Sequence, residues 1–184
     1  MSQVIAMIRE LSINDGIEVY DLLQRIGPDE NAFQNHVNGM TYSDYQKWLI
    51  IQHQWSLGEN LPEGYVKQWT YWLIVNNKPI GYGKLRERAT EQSRLFGGNI
   101  GFAIDPLERG KGYGNQLFSE LLREAKLKGI KEVFSTAEKY NYPSYKVHLL
   151  NGGKLVSEDE KRWYFEFDLS GDRFTDHSGT EDAL

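Results

Sequence analysis

The chain has 184 residues, no cysteine, and 26 acidic against 21 basic side chains, for a net charge of -5. The missing cysteine excludes disulfide frameworks, thiolate metal sites and cysteine nucleophiles, and the lack of a basic excess argues against gripping nucleic acid or lying on an anionic membrane. One domain with one core is expected, and the opening MSQVIAMIRELS lacks the basic and long apolar blocks of a secretion signal, so the expected location is cytoplasmic.

In chain order, the apolar run from Val4 to Leu11 reads as a strand, and NDGIEVYDLLQRIG sets Ile17, Tyr20, Leu22 and Leu23 at helical spacing, with Gly27 and Pro28 as the stop. A polar loop containing NAFQNHVNGM follows. Thr41 or Ser43 can then cap a second helix carrying Tyr45, Trp48, Leu49 and Gln52. Beyond the loop SLGENLPEGY, VKQWTYWLIV and IGYGKLRER flank the turn NNKP and read as an antiparallel hairpin, with NIGFAID as a third strand. NQLFSELLREAKLKG gives one apolar helical face, Leu117, Phe118, Leu121, Leu122 and Ala125, closed by Gly129. The strand IKEVFSTA, a short helix PSYKVHLL opened by Pro143 and ended by Gly152, and a last strand RWYFEFDL complete residues 1–169. The order is mixed α/β. Residues 170–184 form an acidic tail, expected to be flexible.

The stretch AIDPLERGKGYGNQLF passes from strand through a glycine-rich turn into a helix. That context makes an anion site, because the first N-H groups of a helix are unpaired and its dipole is positive there. Gly110, Gly112 and Gly114 leave room for a phosphate, with Arg109 and Lys111 beside it; a mobile turn whose glycines merely permit tight packing is the plainer alternative. Neither G-x-x-x-x-G-K-[ST] nor G-x-G-x-x-G fits the spacing, which argues against nucleotide hydrolysis and dinucleotide binding.

Arg109, Gly112 and Gly114 match [RQ]-x-x-G-x-[GA], and this turn resembles that of the GNAT superfamily of acetyl-CoA-dependent N-acyltransferases. Asn141-Tyr-Pro-Ser144 followed by Asn151-Gly-Gly is similar to the family's N-x-x-[AS] helix, with Gly153 in place of its phenylalanine. The order of elements agrees over residues 1–169, and the closest likeness is to a bacterial subgroup of acetyltransferases. The resemblance implies a central, mostly antiparallel sheet flanked by helices and splayed between NIGFAID and EVFSTA. It implies acetyl-CoA as co-substrate, its arm held by main-chain groups of the Phe102, Ala103 and Ile104 segment. Arg109, Gly110, Lys111, Gly112, Tyr113 and Gly114 would hold its diphosphate, with Asn141 and Ser144 as further contacts.

Acyl transfer to an amine needs a proton acceptor for the amine and a donor for the departing thiolate. Seven residues after the asparagine, where many members carry a tyrosine, stands His148; Tyr145 lies one turn earlier. Thr136 occupies the position of a glutamate found in some members, which leaves Glu138 as the candidate base, with a water chain as the alternative. The expected reaction is direct attack of a primary amine, in a small molecule or a protein, on acetyl-CoA. The acceptor pocket is expected at the second helix and SLGENLPEGY, with Trp69, Tyr71, Tyr82 and Tyr42 as walls. The rival reading is a non-catalytic CoA-binding sensor or scaffold. No metal is expected, since the histidines lack metal spacing, and pairing of edge strands could make a homodimer.

Overall fold

The computed structural model describes residues 6–95 and 97–171. The expected tail therefore lies, beyond Gly171, outside the described residues, as do Val4 and Ile5 of the first expected strand. In chain order the elements are β1 (Ala6–Glu10), α1 (Ile17–Arg25), β2 (Asp29–Glu30), β3 (Phe33–Gln34), α2 (Tyr42–Leu57), β4 (Gln68–Val75), β5 (Lys78–Arg86) and α3 (Glu91–Leu95). There follow β6 (Ile100–Ile104), a short 3-10 turn (Pro106–Glu108), α4 (Tyr113–Leu127), β7 (Glu132–Glu138), α5 (Tyr142–Leu150), β8 (Lys154–Glu158) and β9 (Arg162–Asp168).

Two antiparallel sheets share the frame, one ordered β1-β4-β5-β6 and the other β7-β9-β8. The turn between β4 and β5 is Asn76-Asn77, both at positive φ (48° and 64°), the geometry a two-residue hairpin needs and asparagine tolerates. Strand alternation sends Trp72 and Tyr82 to one face, where α1 and α2 bury Leu22, Leu23, Tyr45 and Leu49 over them. Tyr71, Leu73 and Leu85 go to the other face, under Leu117, Phe118, Leu121 and Leu122 of α4. Close approach explains two strand glycines. A Cβ on Gly81 would lie 2.9 Å from Leu73 Cβ and 3.1 Å from a Leu117 methyl, and one on Gly83 3.0 Å from Leu121.

α2 is capped as its sequence predicts. Thr41 accepts from the Asp44 N-H at 3.2 Å, Gly58 closes the helix at φ 83°, and Tyr45, Trp48, Leu49 and Gln52 are its buried residues. In α1 the buried set is Val19, Leu22 and Leu23, while Ile17 at the first position is 54% exposed. Val19, not Ile17, joins the cluster with Trp72 and Tyr82 on the sheet. Strand β8 and the hairpin β2-β3 are absent from the pattern of the sequence. All five residues of β8 are exposed, so no alternation marks it.

Candidate functional site

Among the described residues one bridge, Gly98 to Ser135, joins the two sheets at their base, and no ladder connects β6 to β7 beyond it. Asn99, 2% exposed, staples this junction: its N-H donates to the Phe134 carbonyl (2.7 Å), its Oδ1 accepts from the Phe134 N-H (2.9 Å), and its Nδ2 donates to the Arg86 carbonyl (3.1 Å). Gly98 has to be glycine, since at φ 72° a Cβ would fall 2.1 Å from the Phe134 carbonyl oxygen.

Above the junction opens a cleft of about 710 Å³, lined by both strands, the glycine turn, the start of α5 and the β2-β3 hairpin. The hydrogen-bond phase decides which main-chain groups face it. At the ends of the β5-β6 ladder, Arg86 N-H donates to Asn99 O and Asp105 N-H to Ile80 O, both at 2.8 Å. Antiparallel alternation then turns Gly101 and Ala103 toward β5 and the N-H and C=O groups of Ile100, Phe102 and Ile104 away from it, into the cleft. On the far wall, Leu169 N-H to Lys131 O and Lys139 N-H to Lys161 O set the phase of β7 on β9, which leaves Thr136 and Glu138 facing the cleft. Apart from Ile104 C=O, which accepts from Arg109 Nε, and Glu138 C=O, which accepts from the Asn141 N-H, these main-chain groups oppose one another, ready for an amide-bearing chain between them.

At one end stands the N-terminus of α4. Gly112 caps it at φ 85° without any side-chain hydrogen bond, and the first helical bond is Gln116 N-H to Gly112 O at 3.2 Å. The N-H groups of Tyr113, Gly114 and Asn115 are therefore left over, and Gly110 at φ 77° curls the turn beside them. Cβ atoms built on Gly110 or Gly112 meet nothing within 4 Å, so their backbone is open to a ligand. This donor set suits a diphosphate. The charged side chains of the turn are otherwise engaged. Arg109 donates through Nη1 and Nη2 to both oxygens of Glu30 (2.5 and 2.8 Å) and through Nε to Ile104 O (3.1 Å), and Lys111 donates to Glu108 at 2.6 Å. Lys111 is not among the lining residues, whereas Arg109 is.

Asn141 and Ser144 both line the cleft. Asn141 also caps α5, its Oδ1 accepting from the Ser144 N-H at 3.3 Å, so the cap and cleft readings of this residue coexist. Glu138 lines the cleft too. One of its oxygens accepts from Arg162 at 3.0 Å, while Oε2, shielded from solvent, has no hydrogen-bond partner in normal geometry among the described residues. The Tyr140 hydroxyl faces the same carboxylate, whose hydrogen bond and charge push the phenol's pKa up.

His148 is elsewhere, and its expected role at a thiolate is corrected by its position. The imidazole is fully buried and absent from the lining, Nδ1-H donating to Ser144 O at 2.7 Å and Nε2 accepting from Ser135 Oγ at 2.8 Å. Phe118 and Phe165 lie over it, each with centroid 4.7 Å away, and burial pushes its pKa down to about 4. Tyr145 packs at 4.4 Å on Trp163, likewise outside the lining. Gly153 has a steric reason: a Cβ there would lie 2.7 Å from Phe167 Cζ and 2.8 Å from His148 O, so the Phe167 ring fills the space a side chain would need.

The expected acceptor walls also move. Trp69, Tyr71, Tyr82, Tyr42 and the loop SLGENLPEGY do not line the cleft; Trp69 and Tyr71 face α4, under the Lys128 ammonium. In their place Glu30, Asn31, Ala32 and Phe33 of the β2-β3 hairpin form a wall, where the sequence pattern shows only a polar loop. Among the described residues no group of His, Asp or Glu side chains could hold a metal, and no helix is long and apolar enough to cross a membrane.

The family model for the Acetyltransferase (GNAT) family matches residues 18–152, and the chain belongs to that family, hence to the acyltransferases. No curated protein matches its sequence. Among solved structures the fold is similar to ribosomal-protein-S5-alanine acetyltransferase of Vibrio fischeri, at TM-score 0.68 and 15% identity over 89% of this chain and 92% of that one. It is also similar to yncA of Salmonella typhimurium with its cofactor acetyl-CoA (TM-score 0.60, 14% identity, 97% and 99% covered). A third similar fold is N-acetyltransferase PseH of Campylobacter jejuni in complex with acetyl coenzyme A (TM-score 0.60, 13% identity, 90% and 100% covered).

Proposed function

We propose that the protein transfers an acetyl group from acetyl-CoA to a primary amine by direct attack. The observation that carries this reading is the wedge between β6 and β7, whose opposed main-chain groups run up to the uncapped N-terminus of α4. Acetyl-CoA supplies the activated acyl group. The N-H groups from Gly110 to Asn115 hold its diphosphate, and the cleft-facing groups of Phe102, Ile104 and Thr136 pair with the amides of its arm. An N-H from β6 donates to the acyl oxygen as negative charge develops there. Glu138, which lines the cleft, takes the proton of the incoming amine through a water, its own Oε2 being shielded. The thioester C–S bond breaks as the amide C–N bond forms, and the CoA thiolate takes a proton from solvent. His148 positions α5 on β7 through Ser135. The chain, lacking cysteine, offers no thiol to carry the acyl group, in keeping with direct transfer.

A CoA-binding module without turnover is the second reading, favoured by the cleft having neither a glutamate at Thr136 nor an accessible acid at His148. Release of free thiol over a panel of amines separates the two. Acceptor-dependent release supports transfer, and tight acetyl-CoA binding without any release supports the module.

A further inference from the structure

We propose that the acceptor amine carries an anionic group, and that Lys84, lying just behind the Phe33 wall of the cleft, is the cation that selects it. This rests on the transferase reading. Lys84 projects from β5 on the α1/α2 side and is only 7% exposed. Its Nζ donates to Gln34 O at 2.5 Å and stands 4.7 and 5.1 Å from the ring centroids of Phe33 and Tyr82. No carboxylate among the described residues forms an ion pair with it, and one carbonyl leaves two of its three N-H donors over. Burial, then the charge of Arg86, push its pKa down to about 7, so the folded chain bears a cost for each proton kept there.

The lysine is close to the cleft although it does not line it. Gly101, its partner in the β5-β6 register, lines the cleft, and a Cβ on Gly101 would touch Phe33 at 3.4 Å and Lys84 Cβ at 4.0 Å. What separates the ammonium from the cleft is thus an aromatic ring and a bare stretch of main chain. Apolar material screens a charge poorly, so its field extends to a group bound there. Other charges nearby have the same sign or are neutralised. Arg86, two residues along the same strand face, donates to the Gly98 carbonyl at 3.0 Å, and burial and Lys84 together push the pKa of His36 down. Glu30 on the hairpin is taken up by Arg109, and Glu138 across the cleft by Arg162. An acceptor carboxylate or phosphate at Phe33 would supply the missing counter-charge, while the amine reaches Glu138.

The test uses four small amines, β-alanine, phosphoethanolamine, ethanolamine and ethylenediamine, in a thiol-release assay, with acetyl-CoA affinity measured beside it by calorimetry. The wild-type protein is expected to favour β-alanine or phosphoethanolamine, and that pair separates carboxylate from phosphate. Lys84→Met should raise the KM of the favoured amine at least about tenfold and leave kcat and acetyl-CoA affinity nearly unchanged, with some loss of Tm because the Gln34 carbonyl loses its donor. Lys84→Arg should keep the preference. Preference for ethanolamine or ethylenediamine, an unchanged KM in Lys84→Met, or acetyl-CoA binding with none of the four consumed would overturn the proposal. Absence of acetyl-CoA binding would instead overturn the transferase reading beneath it.

Discussion

His148 gives the clearest chemistry of any single residue in the protein. Held neutral inside the core with a pKa of about 4, against an ordinary value near 6.5, it binds no proton where the unfolded chain would. Its contribution to stability is therefore complete above about pH 6.5 and is lost as pH falls toward 4, amounting to about 2 kcal/mol by pH 5. Denaturant titrations at pH 7.5 and 5 should show His148→Asn less stable at the higher pH but losing about 2 kcal/mol less on acidification. Equal losses in both proteins would mean that this imidazole is not the titrating group. Gly98→Ala should cost at least about 2 kcal/mol, because the junction of β6 with β7 has to open to admit the methyl. Gly112→Val forces a branched side chain onto φ 85° and should weaken acetyl-CoA about tenfold or more in a folded protein; unchanged affinity would remove the turn from the binding site. Glu138→Gln should lower kcat about a hundredfold while acetyl-CoA still binds, read by thiol release beside calorimetry.

Among the elements, α2, α4 and the β4-β5 hairpin were legible because local chemistry and burial agree in them. Thr41 and Gly58 mark the two ends of α2, and the five buried residues of α4 are those that its spacing predicts. α5 was legible at Pro143 and Gly152, yet its histidine misleads: counting residues places His148 on the helix without telling which way it points. The β2-β3 hairpin escaped reading for a different reason. It has two residues per strand, its turn Asn31-Ala32 puts an alanine at φ 62°, and what holds it comes from distant residues, Arg109, Lys84 and Tyr82. Asn35 supports it from behind, donating to Leu23 O (2.7 Å) and Ile26 O (2.8 Å) at the end of α1. Such tertiary pairings leave no periodic trace in the chain. Asn141→Ala tests α5 as an element: losing the cap should cost about 1 kcal/mol and weaken acetyl-CoA together, whereas a stability loss alone would make Asn141 only a cap.

At the scale of the whole molecule, function follows from an interruption in a sheet. Asn99 and Gly98 fasten β6 to β7 at one point, and the phase of pairing on either side leaves two rows of main-chain groups facing each other with no strand between. The glycine turn signalled one end of this cleft in the sequence. Its base was not legible, because the staple depends on an asparagine and a glycine that lie next to each other in an unremarkable loop. β7 as the far wall follows from the resemblance, whereas the acceptor walls expected at Trp69 and Tyr71 serve the core under α4 and Tyr82 packs under α1 and α2. The most direct measurement is calorimetric titration of the protein with acetyl-CoA, with NAD and ATP in parallel. Saturable binding of acetyl-CoA, absent for the other two and weakened in Gly112→Val, is the predicted result. No binding of acetyl-CoA would contradict the account, and the wedge between β6 and β7 would then be no cofactor site.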